Sequence, residues 1–147
     1  MNNKLIVGGI FCDLEKAFSC VNRDILLPKL ETYGITGKEL YTLHLKGRYQ
    51  RVLICNKSHH YSTLSKWTSI KHGVPQGSIL GPMLFLLYIN DLPHFVNNKS
   101  TPLLFADDTS ILFTRSDTTE FNSNTHTVLE SINPWLKNNY LSLNFEK

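Results

Sequence analysis

The apolar positions of this 147-residue chain fall into runs of different period, and each run predicts an element. Leu5 to Cys12 is almost continuously apolar, the pattern of a central strand covered on both faces, and it ends at Asp13. Asn22 is a natural helix cap, with Asp24 in the first turn and an apolar face of Ile25, Leu26, Leu27 and Leu30. Pro28 conflicts with that helix, because an interior proline removes a backbone bond at a cost of about 3 kcal/mol, so the helix should kink or restart there. Thr36-Gly37-Lys38-Glu39 has the form of a capping box and Gly47 of a stop, which predicts a short helix over 37–46. Arg48 to Cys55 and His60 to Ile70 alternate polar with apolar or β-branched residues, predicting a hairpin that turns near Asn56-Lys57-Ser58.

Gly73-Val74-Pro75-Gln76-Gly77-Ser78 reads as a loop, and Gly81-Pro82 as the opening of a helix with proline in its first turn. Met83 to Ile89 is apolar all round, which predicts burial in the core, and Pro93 is expected to end that helix. Leu103-Leu104-Phe105 and Ile111-Leu112-Phe113 then read as short buried strands of a second hairpin, with Asp107 and Asp108 at its tip. Thr118 to Asn138 has loosely helical apolar spacing, limited by Pro134, and Tyr140 to Phe145 alternates as a half-buried strand. This order makes the fold class α+β, an antiparallel sheet packed on helices, in one domain over 1–147.

Composition changes the picture in two respects. Cys12, Cys20 and Cys55 form no CxxC pair and cannot all pair within the chain, which argues against a zinc site or a disulfide scaffold and for a reducing, intracellular setting, nuclear or cytoplasmic. No apolar run approaches the ~20 residues that span a bilayer, so no membrane partner is expected. The net charge of +3 hides an asymmetry: no acid lies between Leu40 and Asn90, while Lys46, Arg48, Arg51, Lys57, Lys66 and Lys71 do. A basic stretch of this kind suits either a solvated face or a polyanion.

Candidate chemistry centres on the adjacent Asp107 and Asp108. Aspartate is common in turns for its local hydrogen bonds, yet apolar runs here press close to two like charges, a situation usually relieved by a divalent cation. A solvated turn and a metal site both remain open on this stretch alone. Asp13, at the end of an apolar strand, is a third candidate ligand.

Phe11-Cys12-Asp13-Leu14-Glu15-Lys16-Ala17-Phe18 resembles the first palm motif of reverse transcriptases. Gly73 to Pro82, with Leu84-Phe85 and Asn90-Asp91, resembles the second, Phe105-Ala106-Asp107-Asp108 the third, and Trp135 to Lys147 the fourth. The set runs in the family's order and is most similar to non-LTR retrotransposons of the jockey type. The resemblance implies a polymerase palm, an RNA template, a DNA primer and a deoxynucleoside triphosphate as partners, and two Mg²⁺ or Mn²⁺ ions held by Asp13, Asp107 and Asp108. Phe18 would lie against the nucleotide sugar, although the sequence by itself favours a core phenylalanine there. Gln76 and Gly77 would contact the templating base and nucleotide, and Lys147 would assist the leaving pyrophosphate. Arg48, Arg51, Lys57 and Lys71 are the candidates for the nucleic-acid backbone.

Ser19 stands where the family usually has Asp, and Arg23 where it often has His. The resemblance also leads one to expect that most of the fingers and the thumb lie outside this chain, so that it is inactive by itself. Two alternatives use the same residues: a non-catalytic nucleic-acid-binding remnant built on the acid-free stretch, and a metal-dependent nuclease built on the acids.

Overall fold

The computed structural model describes residues 5–37, 47–56, 61–75, 77–96 and 100–145. Its centre is an antiparallel sheet of β1 (Ile6–Cys12), β7 (Asp108–Arg115) and β6 (Ser100–Phe105), in the order β1-β7-β6. In register, Cys12 faces Thr109 and Ile10 faces Ile111, while Leu104 faces Thr109 on the other side of β7. Mixed helices and antiparallel strands agree with the α+β expectation.

One sheet face is covered and the other is open. Ile10 and Cys12 of β1, Ile111 and Phe113 of β7, and Leu104 of β6 point to the helices, where α4 (Thr118–Asn138) brings Val128, Ile132 and Trp135. The Phe113 and Phe121 rings lie 4.8 Å apart, and a Cβ on Gly8 would stand 2.5 Å from Phe121, so glycine lets the helix approach the strand there. The opposite face carries Val7, Phe11, Leu103 and Phe105, with Phe11 76% and Phe105 80% exposed. The expectation of a central β1 covered on both faces is therefore corrected: β1 borders β7 alone, and its Val7 and Phe11 are open. The hairpin strands are likewise half-buried rather than buried. Pro102 fits β6 because that strand pairs with β7 alone and has no second ladder to break.

Pro28, where a kink or a restart was expected, and Pro134, which was expected to limit its helix, both lie inside continuous helices. α2 (Arg23–Thr32) runs through Pro28 and α4 runs through Pro134 to Asn138. Each interior proline costs about 3 kcal/mol, a loss opposed by the burial that continues past it: Leu30 in α2, and Trp135 and Leu136 in α4. Asn22 caps α2 as expected, its side chain accepting from the Asp24 N–H at 2.8 Å.

α1 (Ala17–Cys20) is a single turn after β1, and α3 (Leu80–Ile89) follows the glycine loop. Leu84, Phe85, Tyr88 and Ile89 of α3 are buried, but Met83 and Leu86 are 53% and 41% exposed. The helix predicted to be buried all round thus keeps one open face, because its uniform apolarity gave no indication of which side would pack. Pro93 does not terminate α3 but sits in a separate 3-10 helix, Leu92–Phe95.

The basic hairpin forms two short ladders, β2 (Tyr49–Gln50) with β5 (Thr68–Ser69) and β3 (Leu53–Asn56) with β4 (Tyr61–Leu64). Its expected turn around Lys57 and the helix over 37–46 lie outside the described residues. The arm is more exposed than its alternation implied: Val52, Leu53 and Ile54 are all open to solvent. At its base, the Arg23 guanidinium donates to the Ile70 carbonyl at 2.7 Å, and that of Arg48 donates to Gly73 at 3.0 Å.

Candidate active site

β1 and β7 run antiparallel, so the C-terminal end of β1 lies beside the N-terminal end of β7, and each of those ends carries an acid. An open cleft of about 370 Å³ there is lined by Phe11, Cys12, Asp13, Asp108, Thr109, Ser110 and Asn144. Asp13 and Asp108 thus share one cleft although 95 positions separate them in the sequence.

Asp107 occupies the two-residue turn Ala106-Asp107 between Phe105 and Asp108, half-buried and outside that cleft lining. Ala106 has a positive φ of 52°, a backbone conformation that costs a side-chain-bearing residue roughly 1–2 kcal/mol. The tip of the hairpin is therefore a tight two-residue turn, with Asp107 half-buried and Asp108 exposed.

The C-terminal segment fixes the first acid. Asn144 donates its backbone N–H to the Asp13 carbonyl at 2.9 Å and its side-chain amide to the Asp13 carboxylate at 2.8 Å. Glu15 donates its N–H to Ser142, and Leu14 bridges Leu143. The alternating segment expected as a strand is reduced to this bridge, with Phe145 87% exposed. Asn144 escaped the sequence reading because its partner is 131 residues away; the alternation around it was the only available signal.

Phe18 packs its ring 5.1 Å from Phe85 and flanks the core, while its carbonyl accepts from the Val74 N–H at 2.8 Å. That bond and one from the Gly73 N–H to Val21 tie the glycine loop to α1. Gly73 has φ +82° and lies so close to Ser19 that a Cβ would stand 3.0 Å from its backbone. Gly77 has φ +78° with open space where a side chain would go. A Cβ on Gly81 would lie 2.4 Å from the Pro75 carbonyl oxygen, so this glycine is set by backbone crowding. Ser78 Oγ accepts from the Gly81 N–H at 2.9 Å at the start of α3. Gln76, Lys57 and Lys147 lie outside the described residues; Arg51 and Lys71 are exposed on or beside the arm.

A second polar cluster, absent from the sequence reading, is centred on Lys29. The Lys29 ammonium donates to the Tyr88 carbonyl at 2.6 Å, to Asp91 at 2.7 Å and to the Asn139 side chain at 3.0 Å. It sits 5.0 Å from the Tyr88 ring centre and 5.4 Å from that of Trp135. The Tyr88 hydroxyl donates to the Asn139 carbonyl at 2.7 Å, and burial pushes this phenol up to about 12. Asp91, an acid of the second motif, is thus the partner of a lysine and a link between α2, α3 and the end of α4.

Among the described residues no group of three or more His, Cys, Asp or Glu side chains is arranged as a closed metal cage. The donors that do meet fit a different kind of site. Two carboxylates on an open cleft suit Mg²⁺, which prefers oxygen, keeps several waters and is commonly held by one or two carboxylates together with substrate phosphates.

The family profile described as "Reverse transcriptase (RNA-dependent DNA polymerase)" matches residues 2–147. The chain is 28% identical over 156 residues to the RNA-directed DNA polymerase from mobile element jockey of Drosophila melanogaster, covering 100% of this chain and 16% of that protein. It is 27% identical to the probable RNA-directed DNA polymerase from transposon BS of the same organism, over 99% of this chain and 16% of that protein. To the corresponding probable polymerase from transposon X-element, also of Drosophila melanogaster, it is 31% identical over 76% of this chain and 12% of that protein. The chain therefore spans about a sixth of the length of the curated relatives it matches. With the profile matched over almost its whole length, the chain belongs to the reverse transcriptase family.

Proposed function

We propose that this chain carries the palm of an RNA-directed DNA polymerase, joining a deoxynucleoside triphosphate to a primer 3′-hydroxyl opposite an RNA template, with release of pyrophosphate. The observation that carries this reading is the shared cleft of Asp13 and Asp108 at one end of the sheet, with Asp107 in the adjoining turn. Asp13, Asp107 and Asp108 would hold two Mg²⁺ or Mn²⁺ ions. Such ions, when bound, lower the pKa of an attacking hydroxyl and neutralise charge on the departing phosphate oxygens.

The chain's own residues do the positioning. Asn144 holds the Asp13 carboxylate in one orientation, which lowers the reorganisation needed when a ligand arrives. The tight turn at Ala106 sets Asp107 and Asp108 at the start of β7, beside the end of β1 that carries Asp13. Phe11 and Ser110, on the cleft side of the open sheet face, offer an apolar and a hydroxyl surface to a nucleotide. Gly77, with no side chain, lets backbone come close to a ligand, and Phe18 supports the glycine loop through its carbonyl while its ring packs on Phe85.

Mn²⁺ binding followed by paramagnetic resonance tests the site. Asp107→Asn and Asp13→Asn should each weaken it clearly; affinity indifferent to both refutes the assignment of these acids. Primer extension on an RNA template tests the reaction. Salt-sensitive binding of nucleic acid without metal binding would favour the non-catalytic alternative.

A further inference from the structure

We propose that Trp67, backed by Arg51, is a stacking platform for an unpaired base of a single-stranded nucleic acid. The proposal deepens the polymerase reading and rests on its nucleic-acid partner, but concerns a residue outside the acid cleft.

The arm's register creates the platform. Between Gln50 and Leu53 lie two residues, Arg51 and Val52, whereas between their partners Thr68 and Leu64 lie three, Ser65, Lys66 and Trp67. The extra residue is a bulge, a device that bends a strand and re-aims a side chain. Ser65 closes it on one side: its N–H donates to the Val52 carbonyl, and its hydroxyl accepts from the Val52 N–H, both at 2.9 Å. Extending the β2–β5 register by one step sets Arg51 opposite Trp67, and the guanidinium carbon lies 4.4 Å from the indole centre. An indole with a cation over its ring normally marks a packed surface, yet Trp67 is 61% exposed.

A large aromatic surface is left in water at a bulge that positions it, and the surroundings select the ligand. No acid occurs in the sequence between Leu40 and Asn90, and Lys66 and Lys71, which flank Trp67 along the chain, are exposed. Basic side chains interleaved with an exposed aromatic ring are the combination that binds single strands: the charges follow the phosphates and the ring takes a base. Arg51 over the indole adds to this, since a guanidinium can meet a phosphate with its edge while its face remains on the ring.

The test compares short single-stranded oligo-dT with an abasic strand of equal length, using the full chain at fixed salt. Trp67→Ala should weaken oligo-dT binding by roughly 5- to 150-fold, the equivalent of about 1–3 kcal/mol for one stacked base, and leave abasic binding within about twofold. Trp67→Phe should retain most of the difference. Fluorescence supplies a second reading: of the two tryptophans, Trp135 is 3% exposed, so oligo-dT should quench the solvent-accessible emission of Trp67 and leave the buried emission unchanged. Equal losses for the two strands, or saturable oligo-dT binding without quenching, overturn the proposal. So does a Trp67→Ala effect confined to self-association, which would make the surface a protein interface. Failure of Trp67 with Mn²⁺ binding intact leaves the polymerase reading standing, whereas loss of acid-dependent Mn²⁺ binding strikes that reading alone.

Discussion

Replacing Lys29 by Met should destabilise the fold far more than removal of a surface lysine. All three ammonium protons have acceptors, on Tyr88, Asp91 and Asn139, so no donor is wasted and three segments depend on one side chain. Breaking a buried ion pair costs about 3–5 kcal/mol because a charge is stranded, whereas an exposed pair is worth about 0–1 kcal/mol. The Lys29 and Asp91 side chains are 17% and 34% exposed, so solvent screens the carboxylate in part and the expected loss is about 2–3 kcal/mol. With a urea slope of about 2 kcal/mol per molar, the midpoint should fall by roughly 1 M, read from the buried Trp135 emission. Asp91→Asn should be milder, since the amide can still accept from Lys29. In the double variant the two losses should fall short of additive by at least about 1 kcal/mol. Additive losses, or a Lys29→Met change below about 0.5 kcal/mol, would refute the claim that this cluster joins α2, α3 and α4.

Other outcomes follow from single distances. Gly81→Ala should cost about 1–3 kcal/mol in chemical denaturation, because its Cβ would lie 2.4 Å from the Pro75 carbonyl, while Gly77→Ala should cost only the ~1–2 kcal/mol of its positive φ. Asn144→Ala should weaken Mn²⁺ binding less than Asp13→Asn, since it removes the orienting bond and keeps the ligand; equal losses in the resonance titration would contradict the orienting role. Tyr88 carries a raised pKa, from about 10 when unfolded to about 12 when folded, so the stability contributed by its neutral form is complete below pH 10 and declines as pH rises from 10 to 12. In alkaline unfolding curves Tyr88→Phe should remove that part of the decline.

The sequence was most legible where a pattern had one physical solution. The acid hairpin, the Asn22 cap and the span of α4 could all be read because alternation, a capping side chain and helical spacing are local signals. Local signals also misled. Leu5 to Cys12 is almost continuously apolar but one face of β1 is open, so composition did not say which neighbours would cover it. Pro28 signalled a kink or restart, and Pro134 a helix end, only in the absence of the tertiary burial that carries each helix past them. At the site, the acids stood out because like charges beside apolar runs demand an explanation. Asn144 and Lys29 did not, since an asparagine and a lysine are ordinary until their partners, 131 and 62 residues away, are known.

The bonds from Asn144 to Asp13 also constrain when the cleft can form. β1 emerges before its partner β7, which follows about a hundred residues later, and the segment that orients Asp13 comes later still. At about 5–20 residues per second, several seconds separate the two ends, during which Val7 and Phe11 lie on a strand without its sheet neighbour. Pairings of this separation also make the sheet slow to close once both strands exist. The first acid is thus translated well before the segment that holds it in orientation, so the cleft cannot be set until both have been made.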